Sequence, residues 1–376
     1  MPPDGRSPAP DEHARTRIQT VVCVPYFTPA QLERLVLQTC GSSMSPAKWD
    51  TAKATACGFI AAVSAKLGCP QRTAATAQCL YHRVHLFYAP ADFAWHEVAL
   101  ACLFAAAKLN DTLKKLHEFI LAAYALQHPE LVPAPEHHQG DWIAQGQVPE
   151  SALDATALET LRSRLLVLER LVLQSITFDF QLRPQQTLTF SVKFARKWNM
   201  PPHIARLAWR IASDVHRTYA PLVYPPHTLA IASIYLAAVL AEPPGAEVFA
   251  SVFCTPAWQK EFSVAQEDVD AVAHYTLDVY LLYAPRIGNV PDTPASPEIV
   301  DPSPLGLLAW AHARGRPCDA SEELIQAKIQ LRRYECERPV LGNMHPGLYL
   351  AAQNAQLPPY LPKDAGAHTR ATRYVF

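Results

Sequence analysis

Val98–Leu109 reads V-A-L-A-C-L-F-A-A-A-K-L. Until Lys108 it is uncharged, and it holds neither Gly nor Pro. Alanine and leucine are strong helix formers, so the composition predicts a helix. A helix that is apolar on every side belongs in the interior and not on a surface. Between Glu97 and Lys108 it falls short of the roughly 20 apolar residues that span a bilayer, so no membrane contact is expected.

A second stretch echoes the first. Leu229–Leu240 reads L-A-I-A-S-I-Y-L-A-A-V-L, and alanine matches alanine at Ala99/Ala230, Ala101/Ala232, Ala106/Ala237 and Ala107/Ala238. Leu109 matches Leu240. Alanines let neighbouring helices approach closely, so the simplest reading is a duplicated unit, each copy wrapped around its own central helix. Among the positions where the copies differ, the one that changes charge is Lys108, which stands against Val239.

Working outward, F-T-P-A-Q-L-E-R-L-V-L-Q-T-C-G (Phe27–Gly41) predicts a leading helix. Thr28 suits the N-cap, Pro29 the first helical position and Gly41 the stop. Leu32, Leu35, Val36 and Thr39 share one face. Helices are then expected over about 49–67, 71–87, 93–109, 114–125 and 153–176. Gln127–Glu150, with the pair His137-His138, reads as a long loop. After Pro184 a second set is expected at about 185–198, 202–219, 228–241, 256–262 and 266–283. Five and five support the repeat. Ala284–Pro304 reads as Pro-rich linker, and Glu322–Arg338 has helix-forming composition with Ser321 as a candidate cap.

The expected organisation is therefore a disordered arm (1–27), a first unit with its leading helix (28–180), a second unit (181–283) and a linker with tail (284–376). The fold class is all-α. Nearly half of the 376 residues (49%) are apolar, enough for two cores. The formal net charge of -1 gives no global basic field, so no direct nucleic-acid partner is expected. Nine cysteines form no CxxC pair and read as reduced intracellular thiols. The Pro-rich first 18 residues carry both charge signs and read as a disordered arm, not a targeting helix.

No catalytic signature stands out: GxSxG, HExxH, the P-loop and GxGxxG are all missing from the sequence. His82 and His85 have a spacing that could hold a metal, but no third ligand stands near in sequence, so they read as structural. No cofactor and no metal are expected, and an enzyme is not.

Two tandem five-helix units, each with a buried Ala-rich third helix, resemble the cyclin fold. Q-C-L-Y-H-R-V-H-L-F-Y (Gln78–Tyr88) resembles the second helix of transcriptional cyclins. A-C-L-F-A-A-A-K-L-N-D-T-L-K-K-L-H-E-F-I (Ala101–Ile120) resembles their signature, and L-L-V-L-E-R-L-V-L-Q-S-I-T-F-D-F (Leu165–Phe180) their fifth helix with its exit turn. Ala208–Ala238 is similar to the second repeat of the cyclin K, L and T group. The leading helix and Leu165–Phe180 look most like the cyclin subunit, called beta, of the fungal kinase acting on the RNA polymerase II carboxyl-terminal domain.

The resemblance implies tandem cyclin boxes with an extra N-terminal helix and a C-terminal tail helix. It implies a nuclear regulatory subunit that activates a cyclin-dependent protein kinase, with a third kinase-complex subunit as a further partner. It matches Lys108 and Glu169 to a Lys–Glu pair that meets the kinase, and Leu109, Leu173, Phe178 and Phe180 to the apolar groove beside it. Only the first unit should grip the kinase, because Val239 replaces the lysine in the second. Two departures stand out: Gln127–Glu150 is long, and the M-R-A-I-L type docking motif of cell-cycle cyclins is missing from Trp49–Leu67. A general transcription factor of the TFIIB kind, which also has two cyclin-like repeats, and a cell-cycle cyclin are the alternatives. The first would want a zinc ribbon with paired CxxC, which is not in the sequence.

Overall fold

The structure, a computed structural model, describes residues 26–40, 44–132, 148, 154–180, 185–241, 251–254, 257–287, 303–315 and 320–337. No strand occurs among them. The first six helices are α1 (Pro29–Cys40), α2 (Pro46–Lys66), α3 (Gln71–Val84), α4 (Trp95–Leu109), α5 (Leu116–Gln127) and α6 (Ala155–Ser175). The next six are α7 (Gln185–Lys197), α8 (Pro202–Asp214), α9 (Ala220–Val223), α10 (Pro226–Leu240), α11 (Ala257–Phe262) and α12 (Gln266–Ile287). Two more follow, α13 (Leu305–Ala313) and α14 (Ala320–Glu337). The arm over 1–25, the stop at Gly41, most of the 127–150 loop including His137-His138, and the tail beyond 337 lie outside the described residues.

The two Ala-rich stretches are α4 and α10, and both are buried along almost their whole length. Helix α4 packs on α2, α3, α5 and α6, and α10 packs on α7, α8 and α12. Each is the axis of its own core. Ile60, Leu80, Phe119 and Leu165 surround the first. Ile211, Val272 and Leu277 surround the second. Full burial of one such side chain is worth about 1.5–3 kcal/mol. Alanine at Ala99, Ala101, Ala106 and Ala107 keeps the packed helices close, and all four are within 1% of full burial.

Local signals behave as expected. Thr28 and Gln31 cap α1 reciprocally: the Gln31 N–H donates to Thr28 Oγ1 (3.2 Å) and the Thr28 N–H to Gln31 Oε1 (2.9 Å). Gly68, at φ +64°, ends α2. The stretch expected as one helix over 202–219 instead breaks after Asp214 into a 3-10 turn and the short α9. Helix α12 runs past Tyr283 and Pro285 to Ile287, because Ala284 and Ile287 are buried in the second core.

The leading helix lies across both units. The Phe27 N–H donates to Leu222 O (3.0 Å), Leu32 packs on the second core and Cys40 on the first. Helix α3 is also shared, which is why nearly all of it is buried. At this joint the Trp49 indole donates to the Tyr219 hydroxyl (2.9 Å), and the Tyr283 hydroxyl donates to Ala54 O (2.6 Å). His82 and His85 are both buried at this joint.

A helix that composition hid is α13, inside the expected linker-and-tail region. It is short, follows a Pro-rich run and starts L-G. Its N-terminal N–H groups, at Leu305 and Gly306, donate to the buried carboxylate of Asp214 (2.8 and 2.6 Å). The Tyr280 hydroxyl donates to the same carboxylate (2.8 Å). A negative charge is favoured at a helix N-terminus, so Asp214 acts as a cap supplied from α8. Gly306 is there because a Cβ would collide with the Tyr280 hydroxyl and sit 2.9 Å from Asp214 Oδ2.

Two stability predictions follow from this packing. Gly306→Ala forces α13 off α8 and should cost about 1–3 kcal/mol, read as a lower urea midpoint. The second concerns pH. Burial pushes the His82 imidazole down to about 3 and that of His85 to about 4. His85 Nδ1 already lies 3.2 Å from Tyr88 O, and His85 Nε2 has no protein partner for a second proton. Both rings are held neutral in the folded state, whereas the unfolded rings take up protons below about 6.5. Stability is thus full above pH 6.5 and falls as pH drops toward 4. At pH 5 the two rings together should remove about 4 kcal/mol, and His82→Gln/His85→Gln should flatten that slope in thermal melts between pH 7.5 and 5.

Candidate functional site: a lysine–glutamate pair at an apolar cleft

The C-terminus of α4 is held firmly. Asn110 ends the helix, its side-chain amide donating to Ala106 O (2.9 Å) and to Thr76 Oγ1 (3.0 Å). Asp111 then takes a left-handed conformation (φ 53°), and the Thr112 N–H closes the turn on Ala107 O (2.8 Å). This leaves Lys108 on the last turn, where a cation complements the helix dipole.

Lys108 Nζ lies 2.8 Å from Glu169 Oε1 on α6 and 4.2 Å from the centre of the Phe104 ring. The carboxylate is buried, while the lysine side chain keeps 48% of its surface exposed. The pair thus presents a positive charge to solvent from a fixed base. Helix α4 has a second tie to α6 at its other end, where Arg164 Nη2 meets the buried Glu97 Oε2 at 3.0 Å.

Beside the pair opens a cleft of about 550 Å³ between α4, the start of α5 and the first half of α6. Phe104, Leu113, Leu116, Ile120 and Leu158 supply its apolar lining, with Lys114, Lys115 and Arg162 around them. Leu113 is 76% exposed. An apolar cleft edged with charge suits a helix laid into it.

The six residues singled out in the sequence are placed as follows. Lys108 and Glu169 touch. Leu109 and Leu173 are half-buried against the first core. Phe178 and Phe180 stand 54% and 55% exposed on the turn after α6 and do not line the cleft. The sequence reading missed Phe104, although its i, i+4 spacing to Lys108 was a usable signal. It also missed Leu113, a lone apolar residue in a polar break.

Among the described residues, the matching end of α10 holds no equivalent lysine–glutamate pair. At the matching end of α10, Val239 is half-buried, and Arg314 from the C-terminal segment donates to Leu240 O (3.3 Å) and pairs with Glu323. The chain's own C-terminal helices meet this end of α10. Among the described residues no group of three or more His, Cys, Asp or Glu is arranged to hold a metal ion.

Comparison with known proteins bears on the family. Residues 26–181 match the family described as the cyclin N-terminal domain. The chain is 31% identical over 268 residues to the CTD kinase subunit beta of Schizosaccharomyces pombe, covering 71% of this chain and 70% of that one. It is 30% identical over 255 residues to Cyclin-T1-1 of Oryza sativa subsp. japonica, and 26% identical over 258 residues to human Cyclin-K. Of those two relatives it spans 51% and 39% of the length. A chain of the crystal structure of the yeast RNA Pol II CTD kinase CTDK-1 complex has the same fold, with a TM-score of 0.54 at 18% identity over 78% of this chain and 83% of that one. The 31% identity to a CTD kinase subunit beta over 71% of this chain, together with the cyclin N-terminal domain match over residues 26–181, places this chain in the cyclin family.

Proposed function

We propose that this chain is a non-catalytic cyclin subunit that binds and activates a cyclin-dependent kinase phosphorylating the carboxyl-terminal domain of RNA polymerase II. It regulates transcription elongation and works in the nucleus. The relatives named CTD kinase subunit beta, Cyclin-T1-1 and Cyclin-K support this reading. The observation that carries it is the Lys108–Glu169 pair at the lip of the cleft. Residues 28–180 and 181–283 are the two cyclin boxes in this proposal, and a third kinase-complex subunit is a further partner.

The physics of activation is positional. A kinase is active only while its regulatory helix is held inward so that its own Lys–Glu pair can form. A rigid cleft that binds the inward position better than the outward one shifts the population toward the active state. Here Phe104, Leu113 and Leu116 line the cleft, Leu109, Leu173, Phe178 and Phe180 supply apolar contact beside it, and Lys108 supplies a charge-assisted hydrogen bond at the edge. Glu169 is buried, so its part is to hold the lysine and not to face the kinase.

That difference decides what each mutation should do. Glu169→Lys buries a second cation and should unfold the first unit as well as abolish binding. Phe178→Ala removes an exposed ring, so the melt should stay within about 0.5 kcal/mol of wild type. Kinase affinity should nevertheless fall by about tenfold or more, since buried aromatic anchors dominate interfaces. Lys108→Glu should also lower kinase affinity, but it sets a like charge against the buried Glu169 carboxylate and should lower the melt as well. Titration of the purified kinase with each variant, reading phosphorylation of a polymerase-tail peptide, checks this. Full activation by both Phe178→Ala and Lys108→Glu would refute the proposal.

A further inference from the structure

The exit turn of α6 is strained. Thr177 and Phe178, neither of them glycine, both adopt left-handed backbone (φ 53° and 56°). Each such residue costs on the order of 1–2 kcal/mol, so the turn persists only if its surroundings hold it. Three backbone bonds do part of this. The Thr177 N–H donates to Gln174 O, that of Phe178 to Leu173 O, and that of Asp179 to Ile176 O, at 2.9–3.0 Å.

These bonds leave one carbonyl for something else. Ser175 O, at the last residue of α6, accepts from Arg83 Nε of α3 at 2.9 Å in a buried setting. A guanidinium suits this place, because it meets the negative end of the α6 dipole with a charge-assisted bond. On its other side the Arg83 guanidinium lies 5.4 Å from the centre of the Phe27 ring. Phe27 is itself anchored, by its N–H on Leu222 O (3.0 Å) and by its ring against Phe87 (6.4 Å). Arg83 therefore joins α3, the strained turn and the segment that leads into α1. Burial pushes its ionisation down, and the Asp179 carboxylate pulls it back up.

We infer that Arg83 is a positioning residue: clamped by Phe27, it fixes the turn that presents Phe178 and Phe180 to the kinase. The clamp needs only the turn, but its consequence rests on the kinase-facing role proposed above. Removing Arg83 leaves a buried carbonyl unpaired and lets the strained turn relax. Deletion or displacement of the leader at Phe27 then reaches the kinase surface without touching it.

The test uses the full chain, with and without its kinase. Amide hydrogen exchange at residues 177–179 reads the turn directly, and exchange along α4 reads the core. In Arg83→Gln, exchange at 177–179 should speed up by about tenfold, a 1.4 kcal/mol change, with α4 unaltered. Kinase affinity should drop by a comparable factor. Arg83→Lys, which can still reach Ser175 O with a cation, should restore most of both. Phe27→Ala should shift both in the same direction by less, and it serves if Arg83→Gln fails to fold. Unchanged exchange at 177–179 in both Arg83→Gln and Phe27→Ala would overturn the clamp. Faster exchange with undiminished kinase affinity would overturn the positioning role if Phe178→Ala weakens binding. If Phe178→Ala binds normally too, the kinase-facing reading fails and the clamp stands.

Discussion

A helix packed on every side can carry only small side chains where its neighbours come closest, and this constraint governs both halves of the molecule. Helix α4 meets it with Ala99, Ala101, Ala106 and Ala107, and α10 with Ala230, Ala232, Ala237 and Ala238. Larger residues such as Leu103 and Leu236 then fill the gaps between the surrounding helices. Interiors are packed to crystal-like density, so little adjustment remains once these contacts form. The rigidity matters because the site is built directly on the end of α4.

At that end, rigidity becomes chemistry. Asn110 and the turn at Asp111 stop the helix at a defined point, which places Lys108 opposite Glu169. A lysine on a mobile loop would lose more conformational freedom on binding a partner. Here its carboxylate partner is buried and the ring of Phe104 lies beneath the ammonium, so part of that ordering is already complete. The turn after α6 likewise fixes the backbone at Phe178, through left-handed residues held by local hydrogen bonds.

The duplication has diverged. In the first unit the end of α4 is open to solvent beside a cleft. In the second, the corresponding end of α10 receives Arg314, and α13 lies on α8 with its N-terminus on Asp214. The C-terminal helices are thus part of the folded body, and the second unit supports the first through α3, α1 and the Trp49–Tyr219 joint.

Much of this was legible in the residues. The Ala-rich stretches, the cap at Thr28 and the mismatch of Lys108 with Val239 determined an all-α duplicated body, with a candidate site in one half only. These are local signals: periodicity, propensity and capping act over a few residues and leave their mark in the sequence. Burial of both faces of α3, the Asp214 cap on α13, the need for glycine at 306 and the bond from Arg83 to Ser175 O were decided by tertiary structure alone. Each joins residues far apart in the chain, and no local preference encodes which buried carboxylate will meet which helix end, because that depends on how the two units pack.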